Sequence, residues 1–121
     1  MRKVLIVDSD EGICEFLTAL LTEEGFQVSA AYDNLKALEQ LRQEEGAVVL
    51  LDLGRPPYGG QNIHAWLQAV HQLSRHQVIA MSASTPLAVG YQLLGESLIT
   101  AFLPKPFDVD EVLAAVQQVA T

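Results

Sequence analysis

The feature that most constrains this chain is the stretch AVVLLDLGRPPYGG, residues 47–60, where a charge-free apolar run ends on one carboxylate and then breaks into turn residues. Ala47 to Leu51 has no polar residue at alternate positions, so it reads as a strand covered on both faces, as in a parallel sheet with helices above and below. Asp52 then stands at the C-terminal end of a rigid central strand. In open α/β sheets that edge is where ligands bind. Taken alone, Asp52 reads equally as a turn-opening aspartate capping backbone N–H groups; what the other strands bring to the same edge decides between the two.

The remaining segments alternate strand and helix. Val4 to Val7 is a second buried-type run, followed by Asp8, Ser9, Asp10 and Glu11. Ile13, Phe16, Leu17, Leu20 and Leu21 recur three or four apart, which predicts a helix with these residues facing inward and Gly25 closing it. Phe26 to Ala31 is the next strand. Asp33 is placed to cap a helix that turns Leu35, Leu38 and Leu41 inward and closes near Gly46. Beyond the central strand, Ile63 to Leu73 reads as a helix with Trp66, Leu67, Val70 and Leu73 apolar, and with His64 and His71 as surface histidines. Val78 to Met81 is a strand ending on Ser82. Thr85 and Pro86 offer an N-cap and first-turn proline for a weak helix interrupted by Gly90 and Gly95. Leu98 to Leu103 is the last strand, terminated by Pro104, Lys105 and Pro106. Asp108 and Glu111 have capping-box spacing before a helix that carries Val109, Val112, Leu113, Val116 and Val119 on one face.

Five strands alternating with five helices imply right-handed crossovers and a parallel sheet, so the strand C-termini share one edge. The expectation is a flavodoxin-like (βα)5 doubly wound α/β sheet of strand order 2-1-3-4-5, forming a single domain over 1–121. Composition narrows the function. Seven Lys and Arg stand against fifteen Asp and Glu, a formal charge of -8 with the cations scattered, which argues against direct nucleic-acid binding. No apolar run approaches the roughly 18 residues a membrane span needs. The one cysteine, Cys14, has no internal disulfide partner and reads as a small packing residue; a cytoplasmic location is expected.

Four strands deliver polar groups to the common edge: Asp8 after the first, Asp52 after the third, Ser82 after the fourth and Lys105 after the fifth. In the order 2-1-3-4-5, Asp8 and Ser82 flank Asp52. A carboxylate pair is costly unless a cation shares it, and an all-oxygen site suits Mg²⁺. With Lys105 as a point charge and Ser82 as a hydroxyl, this edge is equipped to neutralise a phosphoryl group while Asp52 attacks phosphorus.

These residues resemble, over essentially the whole length, the receiver domain of two-component response regulators. The resemblance rests on Val7-Asp8 closing the first strand, Asp52 with Pro56 and Gly60, the VIAMSA run holding Ser82 and the FLPKPF run holding Lys105. It implies that Asp52 is the phosphoacceptor, that Lys105 pairs with the phosphoryl group and that Ser82 moves to hydrogen-bond it. It further implies that Asp8, Asp52 and the Gly54 carbonyl hold Mg²⁺, that Lys105-Pro106 is a cis peptide, and that Phe102 is the switch aromatic. Partners implied are a sensor histidine kinase or phosphotransfer protein and a downstream protein docking on the face of helix 4, strand 5 and helix 5. No output domain is expected in this chain.

The sequence departs from the family where a second acid usually follows the first: here it is Ser9. Asp10 is a candidate replacement ligand if the loop turns it back toward Asp52. Gly59 and Leu98 are further departures, the latter where the family commonly has glycine. The leading expectation is a phosphorylatable, non-enzymatic signalling switch. The alternative is a receiver-like interaction module that works without phosphorylation because its metal site is weakened. An aspartate-nucleophile phosphatase would need a general acid two residues after Asp52, where Gly54 stands. A flavin-binding domain of the same architecture is disfavoured by the acid-lined first loop.

Overall fold

The computed structural model describes residues 2–53, 63–73, 76–82, 87–104 and 107–120, with backbone alone at 87–90. Strands β1 (Lys3–Val7), β2 (Gln27–Ala31), β3 (Val48–Asp52), β4 (Gln77–Ser82) and β5 (Ala101–Pro104) alternate with helices α1 (Glu11–Glu23), α2 (Asn34–Arg42), α3 (Ile63–Gln72), α4 (Leu87–Gly95) and α5 (Val109–Ala120). All strand pairs are parallel and the order is β2-β1-β3-β4-β5, as the alternation predicts.

The two-residue period of the strands sorts the core into two layers. Val4, Ile6, Val48, Leu50, Ile79 and Met81 face Cys14, Leu17 and Leu21 of α1 and Val112 and Val116 of α5. Leu5, Val7, Val49, Leu51, Val78 and Ala80 face α2 and α3, meeting Ala37, Leu38, Leu41, Trp66, Leu67 and Val70. Trp66 is fully buried, and its Nε1–H donates to the Asn34 carbonyl at 2.8 Å, tying α3 to the first turn of α2.

Helix ends follow local chemistry. Asp10 and Asp33 accept from the N–H groups of Ile13 and Lys36, as N-caps do. Asp108 and Glu111 form the expected reciprocal box: Glu111 N–H donates to Asp108 Oδ1 at 2.8 Å, and Asp108 N–H to Glu111 Oε1 at 3.3 Å. Gly25, at φ 94°, closes α1 with Gly25 N–H bonded to the Thr22 carbonyl and Phe26 N–H to that of Leu21.

Several expectations need correction. Phe16 and Leu35, read as inward, are 52% and 48% exposed. The buried arc of α1 is centred on Cys14, Leu17 and Leu21, and Phe16 lies about 100° round from Leu17, beyond that arc. Val109 likewise stays exposed at the start of α5. Helix α2 ends at Arg42 with Gln43 as its cap, ahead of Gly46. The second strand starts at Gln27, not Phe26, whose N–H is used in closing α1. The last strand begins at Ala101 because Leu98 belongs to the end of α4: Ser97, at φ 60°, bonds back to the Leu94 carbonyl and Leu98 to that of Leu93. The left-handed residue is thus Ser97, one place before the missing glycine at Leu98. Pro104 is the final residue of β5, an edge strand, where a residue without an N–H is tolerated.

Candidate functional site at the carboxyl edge of the sheet

Asp8 and Asp52 continue adjacent strands in the same register. Ile6 pairs with Leu50 and Val7 with Leu51, so the next step sets Asp8 opposite Asp52, with neighbouring strands about 4.8 Å apart. By alternation both carboxylates follow the face that carries Val4, Ile6, Val48 and Leu50, the α1/α5 side. Asp8 is 3% exposed, whereas Asp52 is half-buried and within reach of solvent.

The loop after β1 explains how a buried acid is held. Asp8 N–H donates to the Ala31 carbonyl at 3.2 Å, fixing the chain to β2. Asp8 Oδ1 accepts from Asp10 N–H at 2.9 Å, an Asx turn that steers the backbone into α1. The thiol of Cys14 donates to the Asp8 carbonyl at 3.4 Å. Burial, followed by the nearby charges of Asp8, Asp10 and Glu11, pushes that thiol up to about 11. Cys14 is therefore a protonated packing residue that secures the loop.

On the other side of Asp52, Leu53 N–H donates to the Met81 carbonyl at 2.8 Å, so β4 guides the chain as it leaves β3. Ser82, 3% exposed, closes β4 and pairs with Pro104. Its alternation differs from that of the acids: Ser82 follows Val78 and Ala80, on the α2/α3 side. Phe102 pairs with Ala80 and packs in the same layer, which makes it the diagonal neighbour of Ser82 on one face. Ser82, one step past the Met81 that pairs with Asp52, and the Phe102 ring thus share one face across two strands.

The structure brings Asp8, Asp52 and Ser82 to one edge and puts Phe102 on the adjoining strand. Gly54, Lys105, the Lys105-Pro106 bond, Pro56, Gly60, Thr85 and Pro86 lie outside the described residues. Asp10 is the N-cap of α1. His64 approaches Glu96 at 3.2 Å. Two residues that sequence reasoning passed over prove structural. His76 accepts from Ala47 N–H at Nδ1, 3.0 Å, and donates from Nε2 to the Leu41 carbonyl, 2.8 Å. Tyr91, 63% exposed, meets the Phe102 ring.

Fold and edge together define a class: doubly wound α/β domains with an acidic pocket at the strand C-termini. The chain belongs to the response regulator receiver domain family, whose model matches residues 4–117. It is similar to a Francisella response regulator receiver domain at 26% identity and a TM-score of 0.83, with 98% of this chain and 96% of that one covered. A two-component response regulator from Clostridium difficile superposes at a TM-score of 0.85 with 18% identity, covering 99% and 96%. An adenylate cyclase structure from Rhodopirellula baltica superposes at 0.86 with 19% identity, covering 98% and 86%. Among the described residues no helix is long and apolar enough to cross a membrane.

Proposed function

We propose that this chain is a phosphoacceptor receiver that takes a phosphoryl group on Asp52 from a histidine kinase or phosphotransfer protein and signals by a change of conformation. The observation that carries the reading is the register match of Asp8 and Asp52 on one face, with Ser82 on the next strand. A carboxylate oxygen of Asp52 attacks phosphorus, the P–N bond of the donor phosphohistidine breaks, and the neutral imidazole leaves after taking up a proton. The product is an acyl phosphate on Asp52. Lys105 would pair with its oxygens, and the Ser82 hydroxyl would donate to one of them.

The donor set suits a hard divalent cation, since Asp8 and Asp52 are adjacent carboxylates with only oxygen to offer. Those two, with the Gly54 carbonyl, are the residues that would hold Mg²⁺, which when bound supplies charge neutralisation at the phosphoryl oxygens. The added charge of about -1.5 to -2 at Asp52 then biases Ser82 and, through their shared face, Phe102. A downstream protein would read the result on the surface of α4, β5 and α5, and the reaction would take place in the cytoplasm, where the free thiol of Cys14 is at home.

Incubation with acetyl phosphate or phosphoramidate tests this. The expected outcome is a mass increase of one phosphoryl group that is labile to hydroxylamine and absent from Asp52→Asn. An unchanged mass under conditions that label a control receiver would overturn the reading. Ser9 favours a second reading, an interaction module that works unphosphorylated; it predicts that Asp52→Asn leaves partner affinity unaltered.

A further inference from the structure

Position 9 is an exposed serine where the receiver family the chain belongs to usually carries a second acid, and Asp10 is the sole neighbouring acid in the β1–α1 loop able to replace it. The structure gives Asp10 another task. Its backbone is extended, at φ -87° and ψ 110°, and its Oδ1 accepts from Ile13 N–H at 3.2 Å as the N-cap of α1. The same oxygen lies over Gly12, where an added Cβ would come within 3.3 Å of it. Its carboxylate is therefore turned along the helix, toward the orphan N–H groups and the positive end of the dipole. Its backbone N–H, meanwhile, donates to Asp8 Oδ1 and occupies one side of the acid that would share a cation. Among the described residues, which include Asp8, Asp10 and Asp52, no three acidic, histidine or cysteine side chains converge as a ligand set for a metal ion.

We propose that Asp10 is a helix cap and not a metal ligand, so that Ser9 leaves the pocket one carboxylate short and its divalent-cation affinity low. The proposal deepens the phosphoacceptor reading, on which its biological meaning rests: phosphoryl transfer to this chain would become sensitive to free Mg²⁺ over a range in which a complete site is already saturated. Affinity of oxygen-ligand sites follows the number of charged ligands, and a carboxylate supplies charge that a serine hydroxyl does not. Capping, by contrast, needs only a side-chain oxygen, which Ser supplies as well as Asp.

That difference sets the experiment. Mg²⁺ alone is titrated by calorimetry and by amide NMR shifts at Asp8 and Asp52, and Mn²⁺ alone by its EPR signal, in the wild type, Ser9→Asp, Asp10→Ser and the double variant. Asp10→Ser keeps the cap and removes the carboxylate. The expected result is at least tenfold tighter binding in Ser9→Asp, with Asp10→Ser changing affinity less than twofold in either background. Tenfold weakening by Asp10→Ser would make Asp10 a ligand and overturn the proposal, as would Ser9→Asp binding no more tightly than wild type. Failure of the phosphoacceptor reading is separately visible: acetyl phosphate would then leave Asp52 unlabelled in Ser9→Asp at saturating Mg²⁺, however tightly the metal binds.

Discussion

The rings of Tyr91 and Phe102 meet edge to face, with centroids 6.4 Å apart and planes inclined at 62°. Tyr91 stands on α4 and Phe102 on β5, so the contact joins the helix to the strand that leads toward Lys105. Edge-to-face pairs contribute about 0.5–1.5 kcal/mol beyond area burial. Because Tyr91 is 63% exposed, the lower part of that range applies.

The first prediction concerns this pair. A double-mutant cycle with Tyr91→Ala and Phe102→Leu in urea denaturation is expected to give a coupling of about 0.5 kcal/mol. Tyr91→Ala should also narrow the separation between Phe102 ring resonances as the ring loses its fixed neighbour. Strict additivity of the two changes, with the ring signals unmoved, would show that the contact does no ordering.

His76 offers a larger effect. Its ring joins the C-terminal turn of α2, through the Leu41 carbonyl, to the entry of β3, through Ala47 N–H; the Ala47 carbonyl in turn accepts from Gln77 N–H. The donor and acceptor roles fix the tautomer with the hydrogen on Nε2. His76→Ala leaves two backbone groups without their partner, each costing about 1–3 kcal/mol where water cannot reach. Since the site is half-buried, the expected loss is about 2 kcal/mol in total, read from urea midpoints at unchanged m-value.

Why the carboxyl edge was legible in the sequence and this histidine was not comes down to range. Asp8, Asp52 and Ser82 each follow a buried apolar run, and alternation of strand with helix is enough to send all of them to the same edge. Their pairing as neighbours needs only the strand order. His76 bonds to backbone groups 29 and 35 residues away, and backbone acceptors carry no sequence signature. Helix faces lie between these cases. The 3.6-residue period located α1 correctly but blurred its inward arc, because Leu20 and Phe16 lie on the same side of the Cys14, Leu17 and Leu21 line, about 60° and 100° round from Leu17, and apolarity alone does not say where the sheet's cover stops. Asp10 could be read from the sequence as cap or ligand, and only the placement of its Oδ1 against Ile13 N–H separates the two.

A matched pair of backbone substitutions tests the two left-handed helix ends. Gly25, at φ 94°, has no atom within 4 Å of where a Cβ would sit, so Gly25→Ala incurs backbone strain without a clash. The expected cost is about 1–2 kcal/mol. Ser97 occupies the same kind of position at φ 60° with a side chain already present. Ser97→Gly should therefore stabilise, by about 0.5–1 kcal/mol, once the greater freedom of glycine in the unfolded chain is offset. Thermal denaturation should show shifts of opposite sign for the two variants.

Cys14 supplies the pH dependence. Its thiol is buried under the β1–α1 loop and pushed up from 9.0 to about 11, first by burial and then by the charges of Asp8, Asp10 and Glu11. Between those values the folded chain keeps a proton that the unfolded chain has released, so linkage requires stability to fall as pH rises from about 9 toward 11. Below pH 9 both states are protonated and the thiol contributes no slope. Cys14→Ala removes the dependence while also removing packing, so the comparison is of slopes and not of absolute stability. In the native protein at neutral pH, alkylation by iodoacetamide should be slower than in urea by at least a hundredfold, because it needs both exposure and thiolate. Rapid native alkylation would show the Cys14 thiol to be accessible and ionised, contrary to its burial, and an alkaline slope that persists in Cys14→Ala would place the ionising group elsewhere.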